Sequence, residues 1–70
     1  GPSGAMMTGW VNDGSAWYYL APGSGVMVTG WLKDGGSWYY LSPDSGAMYT
    51  GWHWIGWKWY DFADDGRLID

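Results

Sequence analysis

Seventy residues with a formal net charge of −4 and no cysteine leave room for one small domain without a disulfide framework. Three Lys and Arg against seven Asp exclude the basic stripe that a phosphate backbone requires, and no apolar run approaches the roughly 18 residues of a membrane span. Eight Trp, six Tyr and one Phe carry the packing potential, each able to bury about 150–250 Å².

In chain order, residues 1–3 read as a leader, with Gly1-Pro2 resembling the scar of a tag-removing protease. Residues 4–70 then form a single module. GAMMTGW at 4–10 returns as GVMVTGW at 25–31 and GAMYTGW at 46–52; WYYL at 17–20 returns as WYYL at 38–41 and as WYDF at 59–62. The offset is 21 residues each time. A fixed period of this size marks a stacked array whose units cannot bury their apolar faces alone. The repeats run over about 4–24, 25–45 and 46–68.

Within the first repeat, Asp13-Gly14 is a two-residue turn signal flanked by strand formers. Centred there, the hairpin sets Trp10 opposite Trp17. Alternation groups Thr8, Trp10, Trp17 and Tyr19 on one face and Val11, Tyr18 and Leu20 on the other. The second repeat turns at Asp34-Gly35 and pairs Trp31 with Trp38, with Tyr40 on their side. Gly9, Gly30 and Gly51 precede the first Trp of each unit and fall opposite Tyr18, Tyr39 and Tyr60, a placement that suggests close approach of a covering ring. Loops at 21–25 and 42–46 carry Pro and Gly and aim the next strand. Met27 and Met48 follow, on the Trp side by alternation, as polarizable fillers against aromatic rings.

The third repeat departs. Its turn falls on Ile55-Gly56, Trp54 faces Trp57, and four tryptophans share one side. Asp61 takes the place of Tyr19 and Tyr40. The segment Asp64 to Leu68 echoes PDSGAM one residue short and reads as a terminal cap.

Fifteen aromatic side chains exceed what so short a chain can enclose, so several line surfaces or grooves. Aromatic grooves suit a quaternary ammonium, held by cation–π contact, or a sugar ring stacked on its C–H face. With one Asn, no Gln and no Glu, the hydrogen-bonding set for a sugar is thin, which favours the cation. No motif supports catalysis: His53 is the only His and has no triad or elbow partner. It reads as a surface or packing residue. No cofactor is expected. No metal loop is present either, and Asp64 and Asp65 read as a turn.

GAMMTGWVNDGSAWYYL and GVMVTGWLKDGGSWYYL resemble the choline-binding repeats that anchor proteins to choline-decorated teichoic acids in pneumococcal-type autolysins, phage endolysins and choline-binding surface proteins. The resemblance covers residues 4–68. It implies an all-β fold, a short left-handed solenoid of three stacked β-hairpins with the terminal hairpin as cap. It implies a non-catalytic binding module, extracellular and bacterial cell wall associated, in a parent of which a wall hydrolase is one kind. Choline would sit between consecutive hairpins against two Trp, a Tyr and a Met. Carried over by position, the first site takes Trp10, Trp17, Met27 and Tyr40. The second takes Trp31, Trp38, Met48 and an aromatic of the third repeat; with Asp61 in the Tyr place, Tyr60 substitutes, Asp61 serves as counter-charge, or the site is altered or lost. A glucan or wall-glycan module is the alternative. The Trp52–Trp59 hairpin is a candidate homodimer surface; neither nucleic acid nor membrane insertion is expected.

Overall fold

The computed structural model describes residues 7–70, so the leader and the start of the first repeat lie outside the described residues. Six strands follow one another: β1 Gly9–Asn12, β2 Trp17–Leu20, β3 Gly30–Asp34, β4 Ser37–Leu41, β5 Gly51–Ile55 and β6 Lys58–Phe62. They pair only as β1-β2, β3-β4 and β5-β6, giving three separate antiparallel hairpins. No helix is present among the described residues. The array is a rod of 44 × 22 × 22 Å.

The register differs from the sequence expectation by two residues. Trp10 lies opposite Tyr19 and Asn12 opposite Trp17; Trp31 lies opposite Tyr40 and Lys33 opposite Trp38; Trp52 lies opposite Asp61 and Trp54 opposite Trp59. The predicted Trp10–Trp17, Trp31–Trp38, Trp52–Trp59 and Trp54–Trp57 pairs are therefore not direct cross-strand pairs. The cause is the turn. Asp13 and Asp34 close the loops rather than occupying their centres, the position where a carboxylate can accept from the turn's own backbone. The second turn sits on Gly35-Gly36, with φ of 59° and 84°, and the third on Gly56-Trp57, with φ of 56° and 70°, the doubly positive pattern that matches strand twist. An even shift preserves side-chain parity, so the predicted faces of the paired strands survive.

In the first turn Asp13 Oδ1 accepts from the Ser15 and Ala16 backbone N–H groups, each at 2.9 Å, and from Ser15 Oγ. These donors, the Ser15 N–H foremost and Ala16 next, hold the Asp13 carboxyl down at about 2 against its ordinary 3.8. A depressed folded pKa stabilises the fold above the unfolded value and loses that contribution as pH falls through the folded one. The melting temperature of Asp13→Ala should thus lie below that of the parent at pH 7, with the gap closing between about pH 4 and 2. Parallel thermal melts across that range check it; a gap that persists at pH 2 refutes the assignment.

Gly9, Gly30 and Gly51 stand opposite Leu20, Leu41 and Phe62, not opposite tyrosines. A Cβ at any of the three would meet nothing within 4 Å, so close approach is not their reason. Their φ values of 78°, 81° and 77° are, since the left-handed region penalises a side chain by about 1–2 kcal/mol. The apolar spine runs through these opposite residues. Leu41 and Phe62 are fully buried, and each of Leu20, Leu41 and Phe62 forms a β-bridge to the linker that follows, with Met27, Met48 and Leu68. The final bridge closes over one residue fewer, as the shortened echo in the sequence requires. Bridging places Met27 and Met48 across from leucines, on the face opposite the tryptophans, and corrects the alternation argument.

Candidate functional site

Each hairpin has two unlike faces, and the stack sets one against the other. Trp10, Trp17 and Tyr19 share the forward face of the first hairpin; Tyr39 lies on the rear face of the second. The rings meet there: Trp10 packs edge-on against Tyr19 at 5.1 Å and Tyr39 at 4.9 Å. One unit later Trp31 repeats the contacts with Tyr40 at 5.0 Å and Tyr60 at 4.9 Å. The linker is stitched to the preceding unit by its backbone: the Met48 N–H donates to the Trp17 carbonyl and the Leu68 N–H to the Trp38 carbonyl, both at 2.8 Å.

Two clefts result. The first, about 320 Å³, is lined by Trp10, Trp17, Tyr39, Met48 and Asp65. The second, about 340 Å³, is lined by Trp31, Trp38, Tyr60 and Leu68. In the second, Trp31 and Trp38 stand nearly perpendicular, at 88° with centroids 6.2 Å apart. Trp17, Trp31 and Trp38 remain 44, 38 and 43% exposed, too open for core residues. Such ring faces, set at steep angles around a space without buried unpaired polar atoms, suit a compact apolar cation.

Of the eight sequence-selected residues, Trp10, Trp17, Trp31, Trp38 and Tyr60 line the expected clefts. Tyr40 does not line the first cleft; it lies on the forward face of its own hairpin, against Trp31 and Tyr49, and Tyr39 takes the place. Met27 does not line it either. It packs so closely on Gly46 that a Cβ there would overlap its sulfur, with Tyr18 beside it. Met48 belongs to the first cleft rather than the second, because each linker reaches back past its own hairpin to the one before. Leu68 takes the corresponding place in the second. Asp61, opposite Trp52, faces away from the second cleft and does not enter its lining.

Sequence reasoning missed Tyr39, Leu68 and Asp65. The 21-residue offset that selected Tyr60 points equally to Tyr39, and aligning Gly66 with Gly46 places Leu68 with Met48 and Asp65 with Ser45. Asp65 is held below the usual carboxylate range by the Arg67 backbone N–H first and the Arg67 side chain next, with Arg67 Nε at 2.8 Å. His53 stacks on Tyr49 at 3.8 Å and donates from Nε2 to the Thr50 carbonyl, which makes it a packing residue. Among the described residues no group of three His, Cys, Asp or Glu is clustered for a metal.

Comparison with known proteins gives a family match and close structural likenesses. The family described as choline-binding repeat matches residues 7–50. No curated protein matches. CbpJ from Streptococcus pneumoniae TIGR4 superposes with a TM-score of 0.86 at 41% identity, over 90% of this chain and 24% of its own. The endolysin from phage Cp-1, solved with choline, gives 0.79 at 43% identity, over 89% of this chain and 18% of its own. The choline-binding domain of Spr1274 from Streptococcus pneumoniae gives 0.81 at 38% identity, over 90% of this chain and 84% of its own. The chain thus spans about a quarter of CbpJ and most of the Spr1274 domain.

Proposed function

Because the chain belongs to the choline-binding repeat family, we propose that its two clefts each hold the quaternary ammonium of a choline, and that the module attaches the polypeptide it is part of to choline-bearing teichoic acid of a bacterial cell wall. A choline-binding repeat is a binding module, and its work here is adhesion outside the cell. The ligand residues are Trp10, Trp17, Tyr39 and Met48 in the first cage and Trp31, Trp38, Tyr60 and Leu68 in the second. One observation carries the reading: the same box of two tryptophans, one tyrosine from the next hairpin and one apolar linker side chain occurs twice. A trimethylammonium group cannot donate a hydrogen bond, so ring faces are the complement it needs.

Each ring contact contributes about 0.5–2 kcal/mol. Three of them, less the cost of association, give a site on the order of millimolar. A polymer bearing many cholines gains about 10²–10⁴-fold through effective concentration. Tryptophan fluorescence should therefore respond saturably to choline in the millimolar range and not to a dextran. Response to the dextran alone would instead establish a glycan module.

A second surface supports self-association. Trp52, Trp54, Trp57 and Trp59 are 58, 52, 88 and 56% exposed, an apolar patch of the kind that contacts partners. Trp57 keeps a φ of 70°, strained for a bulky residue. We propose that a second copy covers this patch. Sedimentation should show a dimer at millimolar chain concentration that Trp57→Gly weakens; a monomer at that concentration overturns it.

A further inference from the structure

The two cages are built alike from aromatic residues and oppositely from charge. Lys33, opposite Trp38, carries its Nζ 5.8 Å from that ring's centroid. Lys58 carries its Nζ 5.3 Å from the centroid of Tyr60. Trp38 and Tyr60 both line the second cage, so each of the two lysines of the chain lies over a ring that lines it, without itself entering the lining. The 21-residue offset puts Asn12 and Ser37 at the corresponding places of the first cage. That cage has carboxylates instead. Asp65 lines it, and Asp34 Oδ2 accepts from Trp10 Nε1 at 3.0 Å. An indole N–H bonded to a carboxylate gains electron density on its ring, which favours a cation on that face. Ile55 occupies the Asp34 position toward the second cage. Arg67 offsets part of the Asp65 charge but touches neither Asp34 nor the Trp10 indole among the described contacts.

We infer that the two cages select different forms of the same headgroup: the first prefers the bare quaternary ammonium, and the second prefers a quaternary ammonium carrying a phosphate ester, as in phosphorylcholine. The inference rests on the cation-cage reading above and specifies its ligand. In the second cage an entering ammonium competes with the Lys33 and Lys58 amines for the rings. A phosphate two carbons away gives those displaced amines a partner, so the zwitterion relieves the repulsion that bare choline meets. In the first cage the same phosphate approaches Asp65 and meets repulsion. Opposite charges around the two cages thereby let one module sort esterified from free choline.

The test follows the indole N–H resonances of Trp10 and Trp17 against those of Trp31 and Trp38, assigned with single Trp→Phe variants, during titration with choline and separately with phosphorylcholine. The ratio of phosphorylcholine to choline affinity should be about three- to tenfold higher in the second cage, the range that exposed charge pairs can supply. Lys33→Gln combined with Lys58→Gln should abolish that preference and leave the first cage unchanged. Asp65→Asn should raise the phosphorylcholine ratio of the first cage alone. All three substitutions lie on exposed side chains, and an unchanged melting temperature verifies the fold. Equal ratios in both cages, or a difference that survives loss of both lysines, overturn the inference and leave the cage reading standing. If neither indole pair shifts with choline, the cage reading itself fails and the inference with it.

Discussion

Trp17→Ala should weaken choline binding in the first cage by about tenfold and leave the second untouched. Trp17 is 44% exposed and contributes a wall of the cleft. Losing one ring of three removes about 0.5–2 kcal/mol of cation–π contact, a factor of roughly 2 to 30. For a site already on the order of millimolar, that places half-saturation in the tens of millimolar. The Trp31 and Trp38 resonances should titrate as before, and thermal melting should move little. Trp10→Ala is the contrasting variant. Trp10 holds Tyr19 and Tyr39 edge-on and bonds Asp34, so its loss separates the first two hairpins as well as opening the cage. If Trp17→Ala unfolds the protein, Trp17 is part of the core and the open-wall account fails.

Leu41→Ala should unfold the free protein at 25 °C and make its folding depend on ligand. Leu41 is 0% exposed, opposite Gly30 and bridged to Met48. Truncating a buried leucine costs about 2–5 kcal/mol, and a core in a chain of this size rarely supplies more than about 3–5 kcal/mol. Choline at a hundred times its dissociation constant adds about 2.7 kcal/mol per site. Circular dichroism should therefore show the variant unfolded alone and recovering structure as choline is raised, with a steeper choline dependence of melting than the parent. A variant that melts like the parent without choline would show that the spine is not where the stability resides.

The 21-residue period, the Asp-Gly turn signals and alternation are enough to read three hairpins and their aromatic faces; the Trp pairs of both clefts follow from the resemblance to choline-binding repeats. Parity explains why so much survived a wrong register: a two-residue slip leaves every side chain on its face. The slip itself arose at Asp13 and Asp34. An Asp-Gly pair marks a turn, but the dipeptide does not say whether the Asp is central or closes the loop. The crossing contacts were harder. Alternation assigns Tyr40 to the tryptophan face, and that face belongs to its own hairpin; the ring completing a cage must come from the opposite face of the next unit, where Tyr39 and Tyr60 lie. Nothing local indicates that the linker at Met48 travels back to Trp17, because that contact depends on how far each unit turns relative to the last. Asp65 escaped for the same reason, since the final loop reaches the first cage only through the pitch of the stack.

The bond from the Met48 N–H to the Trp17 carbonyl has a mechanical side. Three successive passes of the chain meet at that point: the first hairpin, the second, and the linker that leaves the second. Peeling the linker under tension breaks this bond and lifts Met48 from the lining of the first cleft, so a ligand seated there would add its binding free energy to the resistance. The bond from Leu68 to Trp38 repeats the arrangement one step along. Tension therefore meets two latches in series, and on the proposed function each would hold harder with its cleft filled, so the rod would resist extension most when it is attached to something.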